Sequence, residues 1–218
     1  MPSSIYRSRS DVSTALIPMG IALNLALGTL ASTLKLPLYL DAVGTITTTM
    51  LLGLVPGAIV GVVSFMFAAV LFSPFALYFL GTQMVIALVV RGFVLLQPNL
   101  RRLDHVIAGG IMLGLASGIA SAPILIGLNA ASGSARDVLT AAIISYINGQ
   151  PENACGTDEA CKHKVLVESV LVSGAFVEPI DKAAQMYLAA RLLTDCPRRI
   201  LQRFFSKESI ARMFGRGA

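Results

Sequence analysis

Between Ala42 and Val90 the chain runs 49 residues without an Asp, Glu, Lys, Arg or His. A water-facing surface does not carry so long an uncharged stretch. A helix needs about 20 apolar residues to cross the roughly 30 Å hydrocarbon layer, so this run suffices for at least two crossings, and for three if its ends are shared. Composition agrees: 55% of residues are hydrophobic and only 13% charged, against roughly 25% charged in soluble domains. The expectation is one all-α integral membrane domain, because only helices and closed barrels satisfy the backbone inside a bilayer.

Several function classes fall away at once. The chain holds no G-x-x-x-x-G-K-[ST] phosphate loop, no H-E-x-x-H and no paired C-x-x-C, so nucleotide hydrolysis or zinc chemistry is expected from another polypeptide, and neither cofactor nor metal is implied. Arg7 and Arg9 precede an apolar run from about Thr14 to Leu34. That run exceeds a signal-peptide core and lacks a small-x-small cleavage site, so it is read as a retained first helix.

Apolar runs bounded by Pro, Gly and charge predict helices at 13–34, 41–54, 56–73, 76–97, 104–129 and 164–194. Six crossings put both termini on one side. Arg7 and Arg9, the Arg101 and Arg102 pair, and the tail cations Arg198, Arg199, Arg203, Lys207, Arg212 and Arg216 then share a face, which the positive-inside rule makes cytoplasmic. The expected location is a bacterial or archaeal cytoplasmic membrane, spanned several times. Loops 35–41, 73–76 and 130–163 fall outside. Cys155 and Cys161 lie in the last of these, where a pair can oxidise to a loop-stiffening disulfide or remain two free thiols; Cys196 lies inside, where it stays reduced.

Small residues at four-residue spacing let helices approach closely in lipid. Three such ridges occur: Ala22 and Ala26; Gly53, Gly57 and Gly61; and Gly110, Gly114 and Gly118 followed by Ala122. Packing inside the bundle is the plain reading of each, and the face carrying Ala22 and Ala26 equally suits a partner membrane protein.

The stretch PLYLDAVGTITTTMLLGLVPGAIVGVVS, with its outer loop ending in LYLD and its G-x-x-P-G-x-x-x-G entry to the third helix, resembles the substrate-capturing S components of energy-coupling-factor transporters. The A-L-N-L-A of the first helix resembles the A-x-x-x-A motif by which those proteins dock on a shared transmembrane partner, and VEPIDKAAQMYLAARLL resembles their sixth helix. The resemblance implies a membrane receptor that binds a vitamin or similar micronutrient from outside. It implies release inside when a transmembrane coupling protein and cytoplasmic ATPases drive the cycle.

In this topology a site open to the outside lies among the outer ends of helices four to six and the loops before helices two and four. The candidates for substrate binding are Tyr39, Asp41, Phe75, Tyr78, Gln83, Asn129 and Glu178, and those for partner docking are Ala22 and Ala26. Alternatives stand beside them: Tyr39 and Tyr78 as interfacial anchors, and Asp41 as the cap of helix two. Glu168 reads as a solvated end residue, and Arg91 as a cation that snorkels to the inner surface. Glu178, Asp181 and Lys182 fall near the middle of helix six, where a charge costs at least ~2.5 kcal/mol by insertion scales and marks function by default. Glu178 and Lys182 stand one turn apart and can pair, while Pro179 removes a backbone donor and opens the helix locally.

Residues 198–218 form a basic tail whose Ile200, Leu201, Phe204 and Phe205 make a helical stripe, suited to anionic lipid and not to nucleic acid. The leading expectation is thus a non-enzymatic capture subunit of residues 1–197 with this tail. Two other classes compete with it: an intramembrane enzyme using the helix-six carboxylates, and a membrane sensor or scaffold.

Overall fold

A computed structural model of the chain describes residues 3–96, 98–127, 159–202, 210, 213 and 214, and every secondary-structure element among them is helical. Helix α1 spans Ser3–Thr33, α2 Val43–Leu52 and α3 Leu54–Leu71. A 3-10 turn over Pro74–Phe79 leads into α4, Leu80–Leu95, and α5 covers Leu103–Gly127. The next rod consists of α6, Glu159–Val172, a π turn over Ser173–Val177 and α7, Glu178–Thr194; α8 is the short Arg198–Leu201.

Among the described residues four stretches are long and apolar enough to cross a membrane: Ala15–Thr33, Leu54–Leu71, Pro74–Leu95 and Leu103–Gly127. The multi-pass helical character read from the apolar runs is therefore present. Helix α2, at 10 residues, is too short for a full crossing, and it is enclosed by α1, α3, α4 and α7. Its Val43, Gly44, Thr45, Ile46, Thr48, Thr49 and Met50 are all buried. Gly44 is what lets α2 sit so close to α1, since a Cβ there would overlap the Gly20 carbonyl. Gly53, at φ 99°, ends α2 and starts α3 in a conformation that a side chain would strain.

The most extensive pairing is between α5 and α7, and the glycine ridge makes it. A Cβ on Gly110, Gly114 or Gly118 would run into the backbone of Ala183, Pro179 or Gly174 respectively. The three glycines of this ridge thus pack inside the bundle, as do Gly57 against Thr49 and Gly61 against Gln83, whereas Gly53 of that second ridge has nothing within 4 Å of an added Cβ. Ala22 and Ala26, by contrast, are exposed on α1.

Pro179 acts one turn earlier than its position suggests. The Glu178 N–H donates to the Ser173 carbonyl, five residues back, in the wide-turn pattern of a π helix. With no N–H on Pro179 to hold the next carbonyl in α register, the helix opens over Ser173–Val177, and regular α-helix resumes at Glu178, so the charges all lie within it.

Most of the basic tail lies outside the described residues. Of the predicted stripe only the Leu201 side chain is among those described, and it is buried together with Ile210, Met213 and Phe214 in the core that Val94, Leu100, Val106 and Leu193 form at the α4–α5 turn. The Leu100 N–H donates to the Met213 carbonyl at 2.7 Å. Hydrophobic residues at the base of the bundle gain more by packing on each other than by lying at an interface.

Candidate functional site

Intramembrane polar groups concentrate at the opposite end, around the first turn of α2. That turn carries orphan N–H groups that no side chain of its own satisfies: Ala42 is the N-cap, with no side-chain cap bond. The capping role open to Asp41 is thus not the one it takes. Neighbouring helices supply the acceptors instead. Asn24 Oδ1 of α1 accepts the Gly44 N–H at 2.6 Å and the Thr45 N–H at 3.3 Å, and Gln185 Oε1 of α7 accepts the Ala42 N–H at 2.9 Å. Asn24 Nδ2 in turn donates to Thr45 Oγ1 and Ser64 Oγ, and Thr45 Oγ1 to Gln83 Oε1.

The loop before α2 is tied to α7 as well. Asp181 Oδ1 accepts the Tyr39 N–H at 2.8 Å and the Leu40 N–H at 3.4 Å. Leu40 is buried at φ 52°, a left-handed conformation that costs an L-residue roughly 1–2 kcal/mol, and these bonds hold it there.

Lys182 stands at the centre of the cluster, 3% exposed. Its Nζ lies 2.8 Å from Asp181 Oδ2, 3.3 Å from Asp41 Oδ1 and 4.0 Å from Glu178 Oε2. The one-turn pair with Glu178 is therefore present but is the longest of the three. Gln185 Nε2 donates to Asp181 Oδ2 at 2.8 Å and to Asp41 Oδ1 at 3.4 Å. Ser117 Oγ of α5 lies 3.3 Å from Glu178 Oε2. In a low-dielectric interior such charges persist only when paired and hydrogen-bonded, as these are.

Two cavities open on this cluster and share Tyr39, Asp41 and Phe65. The smaller, 180 Å³, lies among α4, α5, α7 and the loop before α2, with Thr82, Gln83, Ser117, Ser121, Glu178 and Lys182 as its polar lining. The larger, 370 Å³, lies between α1 and α3 against Asn24, Thr29, Ser32 and Ser64. Ligand sites are mostly apolar hollows with a few placed polar groups, and the smaller cavity has that character. It also contains an anomaly: Thr82 Oγ1 is a buried side-chain oxygen with no hydrogen-bond partner, on a residue 8% exposed.

The structure brings Tyr39, Asp41, Gln83 and Glu178 together at the smaller cavity. Phe75 and Tyr78, both exposed, touch each other at a ring-centroid distance of 6.4 Å and line neither cavity. Asn129 and Cys155 lie outside the described residues, as does the side chain of Cys161, and with them the disulfide question. Cys196 is a free cysteine whose thiol is pushed up by partial burial, which makes it a slow nucleophile. Glu168 lies 4.0 Å from Lys164, one turn away on the same helix.

Sequence reasoning missed Thr82, Ser117, Ser121 and Asn24. Two signals mark all but Thr82: Ser117 and Ser121 stand one turn apart on the face of the Gly110–Gly114–Gly118 ridge, and Asn24 is a lone amide between Ala22 and Ala26 in an apolar helix. A cost of ~1–3 kcal/mol attaches to a buried hydroxyl without a partner. Thr82→Val, which keeps the shape and removes the oxygen, is accordingly expected to leave the thermal unfolding midpoint unchanged or raised. A midpoint lowered by several degrees would show that the hydroxyl is structural.

Comparison of the chain with protein-family models, with curated proteins and with solved structures returns no match.

Proposed function

We propose that this protein is the substrate-capture subunit of an energy-coupling-factor type uptake transporter in a bacterial or archaeal cytoplasmic membrane. In this reading six helical segments build the transmembrane bundle, the α6–α7 rod and the short, enclosed α2 among them, and both termini are cytoplasmic. It binds a vitamin or related micronutrient from outside. A transmembrane coupling protein and cytoplasmic ATPase subunits drive its release inside, and the basic residues of the tail meet anionic lipid. The protein itself performs no chemistry.

The carrying observation is the 180 Å³ cavity, which draws polar side chains from α4, α5, α7 and the loop before α2 into the interior of an apolar helical bundle. Intramembrane charges of this kind mark substrate pathways. The exposure of Ala22 and Ala26 on α1 supports the docking half of the reading, because a small-residue face left outside the bundle is suited to close approach by another helix.

The test separates capture from delivery. The double variant Ala22→Arg, Ala26→Arg is expected to retain ligand binding by the purified chain while uptake by cells falls roughly fiftyfold or more, from the ~2.5 kcal/mol that even one arginine costs in an apolar interface. Uptake unchanged in that variant rejects the docking surface. Failure of the unmodified chain to co-purify with any coupling protein or ATPase rejects the transporter assignment.

A further inference from the structure

We infer that the 180 Å³ cavity takes a compact organic cation, an amine or a charged nitrogen heterocycle that also carries a hydrogen-bonding group. The inference rests on the capture reading and specifies its substrate class.

Charge placement is the first support. Among the described residues of the cluster three carboxylates converge on one ammonium, so when ionised the group has one positive charge against three negative. Asp181, at 2.8 Å, is the nearest partner of Lys182, and it does not line the cavity; Asp41 and Glu178 do. The argument does not require either carboxylate to be bare, since each has partners; it requires only that the lining carry more negative than positive charge. Where the pair is buried, as Glu178 and Lys182 are, such an excess is costly until an occupant offsets it.

The second support is independent of charge. Thr82 Oγ1 lines the same cavity, buried and without a partner, so an occupant that offers it a donor or acceptor removes a standing penalty. Tyr39, Phe65 and Phe79 also line the space, and aromatic rings attract organic cations when water is excluded. The volume lies below the roughly 300–1,000 Å³ of drug-sized pockets, so the occupant is compact.

The experiment uses the purified full chain in detergent and pairs of probes matched in shape but not in charge. Choline is set against 3,3-dimethylbutan-1-ol, and N-methyl-3-(hydroxymethyl)pyridinium against 3-methylbenzyl alcohol, within a panel of primary to quaternary amines. Binding is read by calorimetry, and native mass spectrometry identifies any small molecule the protein carries from the cell. The expected result is at least one cation bound about tenfold or more tightly than its neutral partner, a difference of ~1.4 kcal/mol. Glu178→Gln and, separately, Asp41→Asn are expected to shrink that ratio while leaving affinity for the neutral probe in place, which a merely structural role would not do.

Neutral probes bound as well as cations, no cation of the panel bound, or a carried molecule uncharged or anionic at neutral pH each overturn the inference. A neutral carried molecule whose uptake still depends on Ala22 and Ala26 removes the cation and leaves capture standing. A chain that carries and binds nothing and supports no uptake removes both.

Discussion

Lys182→Met is expected to destabilise the protein by about 3–5 kcal/mol, the cost of breaking a buried ion pair by removing one partner. The ammonium it deletes is the shared counter-charge of Asp41, Asp181 and Glu178, and the methionine that replaces it has the right length and no charge. Asp181 would keep the Tyr39 and Leu40 N–H groups and Gln185, but three carboxylates would then face one another with no cation among the described residues of the cluster. The readouts are the thermal unfolding midpoint in detergent and the yield of monodisperse protein. Adding Asp181→Asn to Lys182→Met is expected to recover part of the loss, because it withdraws one of the stranded charges. A single variant within about 1 kcal/mol of the parent, in the range of a solvent-exposed pair, would mean that the cluster is wet and loosely coupled.

Gly114→Leu is expected to be comparably damaging for a purely steric reason. A Cβ at Gly114 meets the backbone of Pro179 rather than the end of a flexible side chain, so no rotamer relieves it, and α5 and α7 must separate. Overpacking a close-packed contact costs about 3 kcal/mol at the upper end of the usual range, and more where backbone has to move. Because α7 carries Glu178 and Lys182 while α5 carries Ser117 and Ser121, the same separation pulls the cavity apart, and ligand binding is expected to vanish with stability. Gly92→Leu is the control: Gly92 is exposed on α4 with nothing within 4 Å of an added Cβ, and leucine is the better helix former there. Equal damage at both positions would show that the ridge is not what holds α5 to α7.

The apolar spans were readable from the chain because their signal is local. Absence of charge over 20 residues is a property of one segment, and so is a glycine every fourth residue. The Gly110–Gly114–Gly118 ridge accordingly packs as its spacing suggests. Pairings between segments were not readable. Periodicity says which face of a helix is polar and leaves open which other face it meets. Asp41 meets Lys182 across 141 positions, and the alternative of a local cap was equally consistent with the sequence around it. Thr82 escaped for a related reason: a threonine at the start of an apolar helix normally returns its hydroxyl to a carbonyl of the preceding turn, as Thr47 and Thr49 do, and only the three-dimensional arrangement reveals that this one does not. That Leu201, Ile210, Met213 and Phe214 join the core was not legible either, because apolar residues fit an interface and a core equally well by composition.

The π turn at Ser173–Val177 makes the length of this rod a matter of aim. One residue wound into a wider turn leaves α6 and α7 out of phase by about 100°, the angular step of a helical residue. Glu178, Asp181, Lys182 and Gln185 point inward, and Ile180 and Tyr187 outward, only because that extra step has been taken. Wound as an unbroken α-helix, the same residues would carry the ammonium and carboxylates about 100° away from the bundle-side positions they now hold, with composition untouched.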